Sequence, residues 1–300
     1  MSPSELHAGL PAPSREELFA AVGHLGARRP VAARVVALAA DPSVGARELA
    51  HVLGADVALA ARVVALANSA AYGLSGRVRT VAFAVTTVGA DTVRAFAAAA
   101  AAGLEGGEGV PEAFWSRCRL TATASGELSG TFGLPGGEAF CLGLLSALGQ
   151  AVLWQTDAAS YAALLDDDDV RRGGRAALAR AELARYGVRH SELSAEAVDS
   201  FGFPPELGEA LRQLDAEDAV DVVDPIDAVH DAAHPSDTQP LTPWLACLRT
   251  AVEVADRLAA LPDEQDPRQD LAVLSGGAVT EDDAEALRVR VTAALAESTW

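Results

Sequence analysis

The core of this chain has to be assembled from small aliphatic side chains. Half of its 300 residues are apolar but only 5% are aromatic, so alanine, valine and leucine must do the filling. Ala and Leu are strong helix formers, and no stretch alternates apolar and polar residues over the length of a strand. An all-α fold follows. The length suffices for one large domain or two small ones.

Charge narrows the function. The 23 basic residues are all arginine, against 42 acids, for a net charge of −19. Such a field repels phosphate backbones and anionic bilayers unless a basic face is segregated from the rest. Neither nucleic acid nor a membrane is therefore an expected partner. Cys118, Cys141 and Cys247 are odd in number and far apart, which argues for buried structural thiols rather than a disulfide framework. The first residues lack an apolar signal core and no run reaches membrane-span length, so the chain reads as cytoplasmic.

Punctuation marks out the elements. Two prolines precede the first helical pattern, and Asp41-Pro42 closes a helix from Val31 to Ala40. Leu49, Val52 and Leu53 form an apolar face that Gly54 ends. Asp56 is placed to cap the next helix, whose face is Leu59, Val63 and Leu66. Further helices start near Thr80 and Asp91, the second running through Ala97 to Ala102 before the glycine-rich segment at 103–109. A second block spans 110–214, with helices from Cys141 to Trp154 and Ala176 to Tyr186, and an acidic turn from Asp166 to Asp169 that Arg171, Arg172 and Arg175 can neutralise. Residues 215–240, Asp215 included, hold eight acids and no arginine, and read as a solvated loop or insertion. Helical patterns resume over 241–300.

The cluster Asn68-Ser69-Ala70-Ala71-Tyr72-Gly73, the basic tract after it and Ala84 to Gly89 resemble the amino-terminal half of an HDOD domain. Trp115, Gly143-Leu144-Leu145, Gly149, Glu182, Gly187, His190, Phe201 and Pro204 fall in the family's order. Val57 departs from it, since relatives commonly have proline there. The resemblance implies one HDOD-like domain over 10–300. Its two helical lobes would be 10–105, and 110–214 with 241–300, the latter related to the HD phosphohydrolase fold. Asn68, Ser69, Tyr72, Gly73, Gly89, Gly143 and Gly149 would be structural signature positions. Asn68 and Ser69 would satisfy backbone groups at a helix end.

In catalytic HD relatives an adjacent His-Asp pair and further His and Asp ligands hold divalent metal. Ser146 and Ala147 stand at the pair's positions here, Gln213-Leu214 where relatives often have two histidines, and Arg117 near an earlier ligand. His190 and Asp256 remain as ligand remnants. The residues favour a hydrogen-bonded structural role for His190 and an ion pair for Asp256, with Arg257 or Arg249. No metal or other cofactor is expected, and no catalytic residue.

Other patterns carry less. His230 and His234 have zincin-like spacing, but the acid between them is aspartate and Pro235 follows at once. The helices around Gly54 could pass for a helix-turn-helix, yet Arg62 is the sole base-reading candidate on the second. There is no Walker A lysine and no Gly-x-Ser-x-Gly elbow around Ser146.

The expectation is a non-catalytic regulatory module. The resemblance implies bacterial signal transduction, linked to cyclic dinucleotides, motility or stress. The partner would be a signalling protein or a small ligand, phosphorylated ones included, with Arg117, Arg119, Ser146 and His190 as candidate contacts. The alternatives are a metal-dependent phosphohydrolase with atypical ligands, and a DNA-binding regulator dependent on Arg62.

Overall fold

Alanine-rich helices can approach one another closely, and one such helix organises the fold. In the computed structural model, described over residues 12–25, 29–74, 77–104, 110–216, 241–259 and 269–296, this is α6. The elements before it are α1 (Arg15–Gly23), α2 (Pro30–Ala39), α3 (Ala46–Leu53), α4 (Val57–Ala67), a 3₁₀ turn (Ala70–Tyr72) and α5 (Val81–Val88). Then come α6 (Ala90–Ala101), α7 (Glu112–Leu128), α8 (Gly136–Leu145), α9 (Leu148–Leu165), α10 (Asp168–Tyr186), α11 (His190–Ser200), α12 (Pro205–Gln213), α13 (Pro243–Ala259), α14 (Leu271–Leu274) and α15 (Glu281–Ala296). No strand occurs among the described residues. The fold is all-α, as composition predicts.

Every residue of α6 from Thr92 to Ala101 is buried, with α2 on one side and α8 on another. Six alanines permit this enclosure, because each presents only a methyl group to its neighbours. Local caps set the helix starts. Asp56 accepts the Leu59 amide at the head of α4, and Thr80 accepts that of Phe83 at the head of α5. Gly89 takes φ 85°, a left-handed value open to glycine, and α5 meets α6 there at 107°.

Gly143 lets α8 lie against α7. A Cβ on it would stand 2.5 Å from Ser125 Oγ and 2.6 Å from the Thr121 carbonyl oxygen. Further along, α13 packs on the same α7, and α1 crosses over to α9 and α11. One hydrophobic cluster accordingly runs from Leu18 to Val252 through both lobes.

Several expectations need correction. The helix expected from Cys141 to Trp154 breaks at Ser146-Ala147. The acidic turn at 166–169 is a helix start: Asp167 caps α10, and Asp168 and Asp169 sit in its first turn, where the macrodipole favours acids. One apolar stretch, Gly136–Leu165, does reach span length, but 78% of its apolar window is buried inside the protein. The glycine-rich boundary from 105 to 109, and the His230 and His234 pair, lie outside the described residues.

Candidate functional site

The break between α8 and α9 is held by hydroxyl groups. Ser146 Oγ donates to the Gly143 carbonyl at 2.8 Å, and the Ser146 carbonyl accepts Ser194 Oγ at 2.8 Å. Ser194 Oγ in turn accepts the Gly149 amide at 2.8 Å. Gly149 is needed where α9 meets the start of α11: a Cβ there would lie 2.7 Å from the His190 carbonyl carbon, with its oxygen closer still. The chain thereby brings Ser146, Gly149 and His190 together from positions 44 apart at the extremes (190 − 146).

His190 is the centre of a buried polar chain. Its Nδ1 lies 2.8 Å from Glu182 Oε2, and its backbone amide donates to that same oxygen at 2.9 Å. Tyr161 donates its hydroxyl to Glu182 Oε1 at 2.6 Å. On the other side His190 Nε2 faces Asp215 Oδ2 at 3.7 Å, and Arg175 Nε holds Asp215 Oδ1 at 2.6 Å. The Asp215 and Glu182 side chains are fully buried, and that of His190 is 4% exposed. Burial opposes charge on the imidazole, yet the Glu182 and Asp215 carboxylates raise His190 above its ordinary value. Burial likewise works against the Asp215 carboxylate, but Arg175 and His190 pull it below its ordinary value.

Asp215 is therefore no part of a solvated loop. It continues the buried side of α12 after Leu214, and its charge is neutralised by residues from α10 and α11. Arg175 thus pairs with Asp215, while Arg172 stays with the acids at 166–169, on Asp169 at 2.7 Å.

Asp256, on α13, pairs with Arg117 of α7 at 2.8 Å. The expected partners are engaged elsewhere: Arg257 with Glu253 and Glu281, and Arg249 with the Gln213 carbonyl. Arg119 lies two residues from Arg117 and so on another face of α7, beside Glu112 and Arg62. Arg62 itself stacks over the Trp115 ring at 5.0 Å.

A cavity of about 870 Å³ opens between α7, the α8–α9 break, α10 and α13. Ser146, Ala147, His190, Asp256 and Arg117 all line it, and Arg119 does not. Arg171, Arg172 and Arg175 join them, so four arginines face two aspartates, Asp168 and Asp256, in a chain that is acidic overall. Cys118 is in the wall, where burial pushes its thiol up to about 12, far from a reactive thiolate.

An HDOD domain model matches residues 25–216. The chain belongs to the HDOD family. Solved structures of similar fold include a candidate phosphohydrolase from Shewanella amazonensis (TM-score 0.64, 23% identity, 94% of this chain and 98% of that one). A candidate signal transduction protein from Marinobacter aquaeolei gives 0.62 at 22% identity, over 98% of this chain and 63% of that one. An HDOD domain protein of unknown function from Geobacter sulfurreducens gives 0.56 at 18%, over 92% and 89%. No curated protein matches.

The HDOD signature of the first lobe has a clear physical role. Asn68 Nδ2 donates to the Val64 and Val78 carbonyls, and its Oδ1 accepts the Val78 amide at 2.9 Å, so one side chain ties the end of α4 to the strap before α5. Ser69 differs from expectation: its amide donates to Leu66, while its buried hydroxyl makes no hydrogen bond. Tyr72 reaches Thr92 on α6, and Gly73 supplies a left-handed turn at φ 62°.

The divalent metal that HD relatives imply does not fit these HDOD donors. Ser146 and Ala147 offer one hydroxyl, already donated to Gly143. Asp256 is taken by Arg117, and both ring nitrogens of His190 face carboxylates, Nδ1 at Glu182 and Nε2 at Asp215. Among the described residues, no three His, Cys, Asp or Glu side chains converge as a ligand set.

Proposed function

We propose that this HDOD protein is a non-catalytic signal transduction module that works by binding a small anionic ligand in the arginine-lined cavity. The observation that carries the reading is the exchange of charge at the site. Where HD relatives place metal ligands, this chain places Ser146, Ala147 and an Arg117–Asp256 pair, and three more arginines line the same cavity. Cationic side chains can hold a phosphate or carboxylate without a metal. The volume suits a ligand of nucleotide size.

Two measurements on the purified protein test this. Calorimetric titration with inorganic pyrophosphate is expected to show saturable binding that weakens at least tenfold in Arg117→Ala and Arg175→Ala. Arg117 is half-exposed, so its removal leaves the fold intact even if that of Arg175 does not. Metal analysis after chelation and incubation with manganese, zinc or iron is expected to find no stoichiometric ion. Tight metal lost in His190→Ala or Asp256→Ala, with metal-dependent phosphate release, would establish the phosphohydrolase instead.

A further inference from the structure

Helix α10 is two pieces joined at a glycine. Gly174 has φ 57° and ψ −146°, a region that side-chain-bearing residues do not enter. The piece before it, residues 168–173 with its Asp167 cap, forms a short arm. Its other end follows directly on α9, whose last residue is Leu165.

Space lies on both sides of this arm. Towards the core is the arginine-lined cavity, which the arm walls with Arg171, Arg172 and Val170. Away from it is a second hollow of about 390 Å³, bounded by Asp169, Val170 and Gly173 of the arm and by Ala177 and Arg180 of the rest of α10. Val170 borders both spaces, so the arm has open volume on each of its two sides. Arg172 is paired within the arm, to Asp169 and to the Asp168 carbonyl. Arg175, one residue past the hinge, is instead anchored on buried Asp215, and Arg117 on the far wall is anchored on Asp256. Two arginines thus sit on fixed walls and two on a hinged element.

We propose that the 167–173 arm turns about Gly174 and closes over a ligand bearing two or more phosphate groups, bringing Arg171 and Arg172 against the phosphates that Arg117 and Arg175 first engage. This rests on the anion-binding reading given above and adds to it a ligand class and a moving part. A single phosphate would satisfy the wall arginines alone. A polyphosphate reaches across to the arm and recruits the second pair.

The test compares inorganic tripolyphosphate with orthophosphate on the full-length protein. Calorimetry is expected to give at least tenfold tighter binding of tripolyphosphate, and R171A/R172A to abolish that preference while leaving the weaker orthophosphate affinity in place. R180A, in the outer hollow, serves as the control and leaves both unchanged. Trypsin, read by mass spectrometry, is expected to cut after Arg171 or Arg172 in the free protein and at least fivefold more slowly with tripolyphosphate bound. Binding that disappears in Arg117→Ala but is indifferent to R171A/R172A, with no protection of the arm, would overturn the clamp and leave the anion site standing. No binding of either anion would overturn both.

Discussion

Gly149 shows how much one missing methyl group can decide. The start of α11 rests so closely on α9 that a Cβ at 149 would stand 2.7 Å from the His190 carbonyl carbon, and backbone cannot swing aside as a side chain can. Gly149→Ala should therefore destabilise the protein by about 3 kcal/mol or more, the upper end for overpacking. Gly23→Ala, where an added Cβ meets nothing within 4 Å, should change stability by less than about 1 kcal/mol. Urea midpoints of the two variants check this, and equal losses would refute the close-packing argument. In the sequence Gly149 was legible as a family position but not as a contact, because its partner lies 41 residues away (190 − 149). Asn68 was more readable. Its hydrogen bonds stay within ten residues, so its place at a helix end already indicated its work.

Elements tell the same story at longer range. Helix starts at Asp56 and Thr80 were legible because a cap and its amide are three residues apart. The break at Ser146-Ala147 was not, since Ser194, which bridges its two sides, belongs to α11. Asp215 was misread for a similar reason: composition joined it to the acids that follow, whereas Arg175 and His190 bury it against α10 and α11. This network makes a pH prediction. His190 is raised above its ordinary value of 6.5, so its stabilising charge is fully present below 6.5 and lost as pH rises through its folded value. Asp215 is lowered from 3.8, so its contribution is present above 3.8 and lost as pH falls through its folded value. His190→Gln should then cost most between those two ordinary values, by roughly 3–5 kcal/mol for a broken buried pair. The gap from the unsubstituted protein should narrow towards pH 9. Urea titrations across that range give the answer, and a gap that widens with pH would sink the assignment.

For the molecule as a whole, the two lobes share one core, so what happens in the cavity should be felt far from it. Phe96 of α6 stacks on Phe140 of α8 at 6.0 Å, and Arg94 of α6 lies 4.1 Å over the Phe203 ring while donating to the Gly202 carbonyl. At the amino end, Arg15 of α1 donates to the Gly187 carbonyl just before α11. Composition foretold small aliphatic packing, but it could not show that the packing continues across the 105–110 boundary. Because one hydrophobic cluster spans both lobes, we predict that they unfold together. Tryptophan fluorescence, reporting on the carboxyl lobe, and far-UV circular dichroism should give coincident urea transitions. A ligand at a hundred times its dissociation constant adds about 2.7 kcal/mol to a cooperative unit. Tripolyphosphate at that excess should accordingly slow hydrogen exchange in α4, whose residues line no part of the cavity, by roughly the same hundredfold as in α11. Protection confined to α7, α10 and α11 would mean that the lobes open independently, and any signal would then have to leave through the carboxyl lobe alone.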